Sequence, residues 1–494
     1  MSQAAGSHSH MAQAAPSSSA TPEDVEPLGS TPTFCPDEPN APSGELPPPA
    51  GTALQTAEAP MLAEPAVISS QNGVLRTTLI VAPQNVTIGT QTIQALTYNG
   101  TFVGPTLRVR PGDRIELTLE NCLSETTNLH FHGMDVTPSD LGDNIFRAID
   151  PAQSAPYVLQ VPPEQPVGTY WYHDHLHGLS SPHVSAGLSG LLVVEGLQEL
   201  LPPDLQKITE RSIVLKDAHA IGGVIVQNGI TIGQHTTRTV NGQFQPQIPI
   251  KPGETQLWRI ANIGANITYM LKLDGHSFHV LAEDGHPVWE VKAFDQLLVP
   301  TGKRFDVLVQ GGPAGSYKLE TLAYTTGPAG NNFPQTDLAT LVSAGDSQKA
   351  ATLPTKFGPN DDLTPVSIGG RQTIEFSEDP TGDIFFINGR TFDHNRVDVT
   401  VKYGTIQEWT ITNVSDEEHP FHIHQLDFQV MSVNGQPYNA VGLQDIVMIP
   451  KRGEVVIRMP FLSPNLEFMG KWVFHCHILN HEDFGMMAVI EVVP

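Results

Sequence analysis

One seventeen-residue pattern occurs three times in this 494-residue chain, and no other feature restricts its fold as much. The stretch Pro105–Asn121 (PTLRVRPGDRIELTLEN) returns at Pro246–Asn262 (PQIPIKPGETQLWRIAN) and again at Val397–Asn413 (VDVTVKYGTIQEWTITN). Each copy alternates apolar and polar residues on both sides of a glycine, the pattern of two strands joined by a tight turn. The glycine stands nine residues before the closing asparagine every time: Gly112 and Asn121, Gly253 and Asn262, Gly404 and Asn413. The copies lie 141 and then 151 residues apart. That period is the length of a domain and too long for a solenoid. A second echo, FDQLLVP at Phe294–Pro300 and LQDIVMIP at Leu443–Pro450, ties the second copy to the third. The expectation is an all-β chain of three tandem β-sandwich domains. They span 66–198, 204–345 and 365–494, with linkers near Gly196–Asp204 and Gly345–Pro365, where Pro, Gly and polar residues gather.

The chemistry-bearing residues follow the repeat. In the first domain His130 and His132 come after it in LHFHG, and His173 and His175 come later in WYHDH. In the third domain His419, His422 and His424 follow in HPFHIH. The segment Trp472–Met486 (WVFHCHILNHEDFGM) then holds His475, Cys476, His477, His481 and Met486. With 20 histidines in the chain, chance gives about one H-x-H, whereas six occur and four lie in apolar, strand-like runs. Residues i and i+2 of a strand share a face, so each of these four pairs aims two imidazoles one way. His475 and His477 face one side and Cys476 the other, which lets one short segment serve two metal sites. Cys476, His481 and Met486, completed by His419, suit a trigonal His2Cys copper with a weak axial thioether. The second domain has His276 and His279 but neither an H-x-H nor a cysteine, and reads as a copper-free spacer. A cluster built from all four pairs then lies between the first and third domains.

In order, these segments match H-x-H-G, H-x-H, H-x-x-H-x-H and H-C-H-x-x-x-H-x-x-x-x-M. From about Val74 onward the chain resembles the three-domain multicopper oxidases of the bacterial laccase-like kind. The resemblance implies three cupredoxin-like (Greek-key) domains and four copper ions per chain. His130 and His422 would hold the type 2 ion. His132, His173 and His477 would hold one type 3 ion, and His175, His424 and His475 the other. His419, Cys476 and His481, with Met486 axial, would hold the type 1 ion. Reducing dioxygen to water takes four electrons and phenolic donors give one each, so an acceptor wired to a trinuclear cluster is what the reaction needs. The implied function is laccase-type oxidation of phenols and similar small reductants. The alternative is a cuprous or other metal-ion oxidase, whose family mark, a Met-rich insert, is missing: the 11 Met are scattered. The family exposes the ring equivalent to His481 beside the substrate pocket, so electrons are expected to arrive there. Asp143 stands where the family often places an acid near the cluster, and is expected to reach it through water and supply protons. Asn480 occupies a position where similar enzymes often carry Glu, and Glu482 and Asp483, beyond His481, read as solvated. Relatives of this kind usually work in the periplasm or outside the cell.

Composition sets the remaining bounds. A formal net charge of −26 argues against nucleic acid or anionic membrane as partner. No apolar run reaches the length of a membrane span, and no basic start followed by an apolar run marks a secretory leader. If Cys476 binds metal, the sole intrachain disulfide open to the three cysteines is Cys35–Cys122. Residues 1–65, rich in Ala, Pro, Ser, Gly and Glu, cannot bury a core and read as a disordered tail. His177, His183, His219, His235, His286 and His394 read as structural or surface groups.

Overall fold

The computed structural model describes residues 35–40, 42, 46, 59–226, 236–462 and 469–494. Each copy of the repeat is strand, turn, strand: Gly104–Val109 to Arg114–Asn121, Gln247–Ile250 to Thr255–Asn262, and Val399–Lys402 to Thr405–Asn413. The two strands of a copy belong to different sheets, so the turn carries the chain over the edge of a sandwich. Gly112, Gly253 and Gly404 sit in that turn at φ +88°, +79° and +82°, a conformation that favours glycine. The closing asparagine then pins the loop that follows. Asn121 Nδ2 donates to the carbonyls of Glu125 and Ile149, both at 2.8 Å. Asn262 does the same to Ile267 at 2.7 Å and Asn413 to Glu417 at 2.6 Å. In the first and third domains the pinned loop leads straight into the histidine strands.

Each repeat anchors one sandwich of a five-stranded and a six-stranded sheet, so the all-β, three-sandwich expectation holds. The residue five places after the repeat glycine lies in each core: Leu117, Trp258 and Trp409 are 1 %, 0 % and 0 % exposed. Among the described residues, helix is confined to two short pieces, Ser180–Ala186 and Leu479–Asp483, and a 3-10 turn at Leu197–Leu200. None is long and apolar enough to cross a membrane.

Two connections cross the expected boundaries. The short strands Ala220–Ile221 and Val224–Ile225 join the first domain's six-stranded sheet, with Val224 paired in parallel to Gln94. The tail read as disordered falls mostly outside the described residues, but its described parts are held. Cys35 is disulfide-bonded to Cys122. Further on, Leu62 N–H donates to Gln247 O at 2.8 Å and Glu64 accepts from Ser212 N at 2.9 Å, so residues 60–64 strap onto the second domain. His8, His10 and His235 lie outside the described residues.

Candidate metal centre

Two strand pairs build the main cluster. His130–His132 runs antiparallel to Gly168–His173, with His130 opposite His173. His419–Ile423 runs antiparallel to Gly470–Cys476, with His422 opposite His475 and Phe421 opposite Cys476. The pleat therefore sends His130, His132, His173, His422 and His475 into the space between domains one and three, where His175, His424 and His477 join them. All eight are at most 1 % exposed.

In five of the eight rings one nitrogen faces an acceptor outside the cluster. Carbonyls and carboxylates only accept, so a nitrogen facing one carries the hydrogen. His130 Nδ1 lies 2.9 Å from Asp143, His132 Nε2 3.3 Å from Asp445 and His173 Nδ1 2.8 Å from Asp174 O. His422 Nδ1 lies 2.9 Å from Asp445 O and His475 Nδ1 3.0 Å from Cys476 O. The opposite nitrogens are left bare and converge. The Nε2 atoms of His175 and His424 stand 3.3 and 3.2 Å from His475 Nε2. His477 Nε2 stands 3.2 Å from His132 Nδ1. The Nε2 atoms of His130, His173 and His422 have no protein partner. Burial above all, reinforced by neighbouring imidazoles, holds His130, His424 and His477 well below the usual histidine range. The same burial brings His173 to about 3 and His175 to about 4. Buried imidazoles presenting bare nitrogens to one another are a set of electron-pair donors whose chemistry fits copper.

Behind this cluster lies a smaller one. Cys476 Sγ is 3.6 Å from His419 Nδ1 and 3.7 Å from His481 Nδ1, and the two nitrogens are 3.2 Å apart. One ion at bond lengths of ~2 Å can reach all three. Ser415 Oγ, 2.8 Å from His419 Nε2, leaves Nδ1 free for that role. Burial pushes the Cys476 thiol up, so a thiolate at this position calls for a cation beside it. Met486 is fully buried in the core cluster that also contains Cys476, whereas Met487 packs with Ile145, Val473 and Val489. Of the two adjacent methionines, Met486 therefore shares the side of the strand that Cys476 uses.

His481 departs from expectation. Its ring is not open beside a pocket: the residue is 5 % exposed. Phe385 stacks on it at 3.9 Å, and Glu417 Oε2 lies 3.7 Å from its Nε2. A loop of the second domain closes over Glu417, with Thr326 Oγ1 donating to Glu417 Oε1 at 2.8 Å and Glu418 N–H donating to Thr326 O at 2.7 Å.

The acids also differ from the sequence reading. Asp143 contacts His130 directly, and is fixed by Phe131 N and Gln425 Nε2, each at 2.9 Å. Burial, against those two hydrogen bonds, raises it to about 7. Glu482, read as solvated, is fully buried, with its carboxylate 3.4 Å from His175 Nδ1 and 3.1 Å from His475 Nδ1. The cause is local: the strand ends at Cys476 and a helical turn over Leu479–Asp483 curls Glu482 back beneath the cluster. Asp483 is half-buried and engaged in hydrogen bonds. It caps the helix Ser180–Ala186 of the first domain, accepting from Gly178 N and Ser181 N at 2.7 Å. Asp445, missed altogether, is the domain-three copy of Asp295 in the second echo. Among the other histidines, His183 is held by Asp174 and Glu125, and His276 Nε2 accepts from Gly312 N at 3.0 Å.

Three multicopper oxidase family models match residues 80–199, 207–345 and 364–494. The chain belongs to the multicopper oxidase family. It is 29 % identical over 409 residues to a multicopper oxidase of Staphylococcus aureus, covering 80 % of this chain and 83 % of that protein. It is also 29 % identical over 416 residues to the cell division protein FtsP of Photorhabdus laumondii, covering 80 % and 84 %. Among solved structures, a Campylobacter jejuni multicopper oxidase described as a metallo-oxidase superposes with a TM-score of 0.78 at 26 % identity, covering 92 % of this chain and 98 % of that one.

Proposed function

We propose that this protein is a laccase-type oxidase. It takes single electrons from phenols and similar small reductants and delivers four to dioxygen, which with four protons gives two waters. The observation that supports this reading is the pair of donor sets joined through one strand. Cys476 faces the small cluster, while its neighbours His475 and His477 face the large one. His419, Cys476, His481 and Met486 would hold one copper and His130 with His422 a second. His132, His173 and His477, and His175, His424 and His475, would hold the remaining two. Bound copper would supply one-electron redox chemistry and a place to bind dioxygen. The protein's own part is to bury eight imidazoles and aim them inward. It also offers a short covalent path from Cys476 through adjacent peptide units, and keeps Asp143 and Glu482 within reach for protons. We place this activity outside the cytoplasm, in the periplasm or medium, where a disulfide such as Cys35–Cys122 persists.

A second reading, oxidation of cuprous or other metal ions with the same copper sites, is favoured by one feature. The approach to His481 is acidic, with Glu417 beside the ring and Asp416 and Glu418 flanking it in sequence. A third, in which the chain binds a partner without turnover, draws on the FtsP relatives. Steady-state rates of oxygen uptake with a phenol, Cu(I) and Fe(II) decide among them. The leading reading requires turnover with the phenol at rates at least comparable to the metal ions. Uptake with metal ions alone selects the second, and no uptake with any donor selects the third.

A further inference from the structure

The second domain has no metal-binding motif, yet it reaches the large cluster. Its strand Arg304–Gln310 opens on a fully buried guanidinium. Arg304 Nε donates at 3.1 Å to Thr169 O, in the first-domain strand that ends in His173. Nη1 donates to Gly302 O at 3.0 Å and Nη2 to Asp284 O at 2.8 Å. Together they grip both carboxylate oxygens of Asp445, at 2.7 and 2.8 Å. All five N–H groups thus have partners, spread over three domains.

Asp445 stands directly behind the cluster. Its Oδ1 is 3.3 Å from His132 Nε2, and its carbonyl accepts from His422 Nδ1 at 2.9 Å. These two contacts keep hydrogen on the outward nitrogens, leaving His132 Nδ1 and His422 Nε2 bare and facing in. One third-domain residue thereby orients imidazoles from two domains. The second domain also fixes its backbone. Asp284 Oδ2 accepts from Asp445 N and Ile446 N at 3.1 Å, and Lys303 Nζ donates to Gln444 Oε1 and Ile446 O at 2.9 Å. The glycine of the H-x-H-G segment leaves room for the pair: a Cβ on Gly133 would lie 2.6 Å from Arg304 Nη2 and 2.7 Å from Asp445 Oδ2.

We propose that Arg304 is a positioning residue of the trinuclear centre, fixing the orientation and tautomer of His132 through the carboxylate of Asp445, the residue whose carbonyl holds His422. The domain without ligands thus sets how the interface between the other two binds metal. A planar guanidinium fork determines the plane of a carboxylate, which a lysine ammonium cannot do. Partners that orient metal-ligating histidines in this way matter ~10–100-fold for metal affinity. The inference rests on the four-copper reading above.

The test compares Arg304→Lys, Asp445→Asn and a control, Arg259→Lys, with the wild-type holoenzyme. Arg259 is just as buried and pairs with Asp306 at 3.0 Å and Glu210 at 2.9 Å, with no cluster histidine among its partners. Copper per chain, the type 2 EPR spectrum, the blue absorbance and the thermal midpoint are read for each. Arg304→Lys and Asp445→Asn are expected to bind trinuclear copper ~10–100-fold more weakly and to shift the type 2 spectrum of what they retain, with blue absorbance per chain unchanged. Arg259→Lys is expected to lower the midpoint only. Wild-type copper content and type 2 spectrum in Asp445→Asn and in folded Arg304→Lys overturn the inference. So does parallel loss of blue and trinuclear copper. If Arg304→Lys does not fold, Asp445→Asn decides alone. A wild-type protein that loads only the blue copper overturns the proposed function as well, whereas four wild-type coppers with unaltered variants overturn this inference alone.

Discussion

Met486 and Met487 are adjacent and both buried, but the pleat places only Met486 among the side chains around Cys476. A thioether that donates weakly to copper stabilises the oxidised ion, so Met486→Leu is expected to raise the potential of a still-blue site and Met487→Leu to leave it unchanged. Potentiometric titration of both variants checks this, and the reverse pattern would make Met487 the axial group. The eight paired histidines were legible in the sequence because H-x-H on a strand has one geometric consequence, and His419, Cys476 and His481 by their spacing beside those pairs. Glu482 was not, because its burial depends on a five-residue helical turn that apolar periodicity does not announce. Nor was Asp445, whose counterpart Asp295 sits near the surface and accepts from Ser277. With Glu482 spanning His175 and His475, Glu482→Gln is expected to slow reoxidation of the reduced enzyme about 10²-fold or more while reduction by the donor is little changed. Stopped-flow measurement of the two half-reactions separates them. Normal reoxidation would return the proton supply to Asp143 alone.

Among elements, the repeat's strand-turn-strand unit turns a sandwich corner in every domain and, in the first and third, delivers a pinned loop to the histidine strand. Its core residue marks the packing cost. Trp409 lies between Phe461 and Phe474 at ring distances of 6.4 and 5.3 Å. Trp409→Ala is expected to cost about 3–5 kcal/mol in denaturant unfolding, and a loss below about 1 kcal/mol would mean that the core closes around the gap. The strands and their corners were legible because glycine at positive φ and alternating residues leave a direct trace. The pairing of Val224 with Gln94 was not, since two short apolar runs carry no address for a partner sheet. The loop that closes over Glu417, beside His481, was likewise hidden, because Thr326 and Glu417 meet only through tertiary packing.

The whole molecule depends on joints between domains. His286 of the second domain is held by Asp427 of the third at 3.0 Å and by Asp361 of the linker at 3.2 Å. Burial alone would lower it, but the two carboxylates outweigh that and raise it to about 9. Because this value lies above the unfolded 6.5, the joint's stabilisation is complete below about pH 6.5 and is lost as pH rises through about 9. The thermal midpoint is therefore expected to fall between pH 7 and pH 9.5, and to fall less in His286→Gln; equal falls would show that the joint contributes nothing. The spacer reading of the second domain missed Arg304, because one arginine in Gly302-Lys303-Arg304 carries no motif. Above these joints stands the central claim, that two donor sets joined at Cys476 pass four single electrons to dioxygen. It is tested most directly by oxygen uptake against a measured amount of a one-electron phenolic donor, using copper-loaded protein. The account predicts one dioxygen consumed for every four donor molecules oxidised, with no hydrogen peroxide. One dioxygen for every two, with peroxide accumulating, would contradict it, as would no uptake at all.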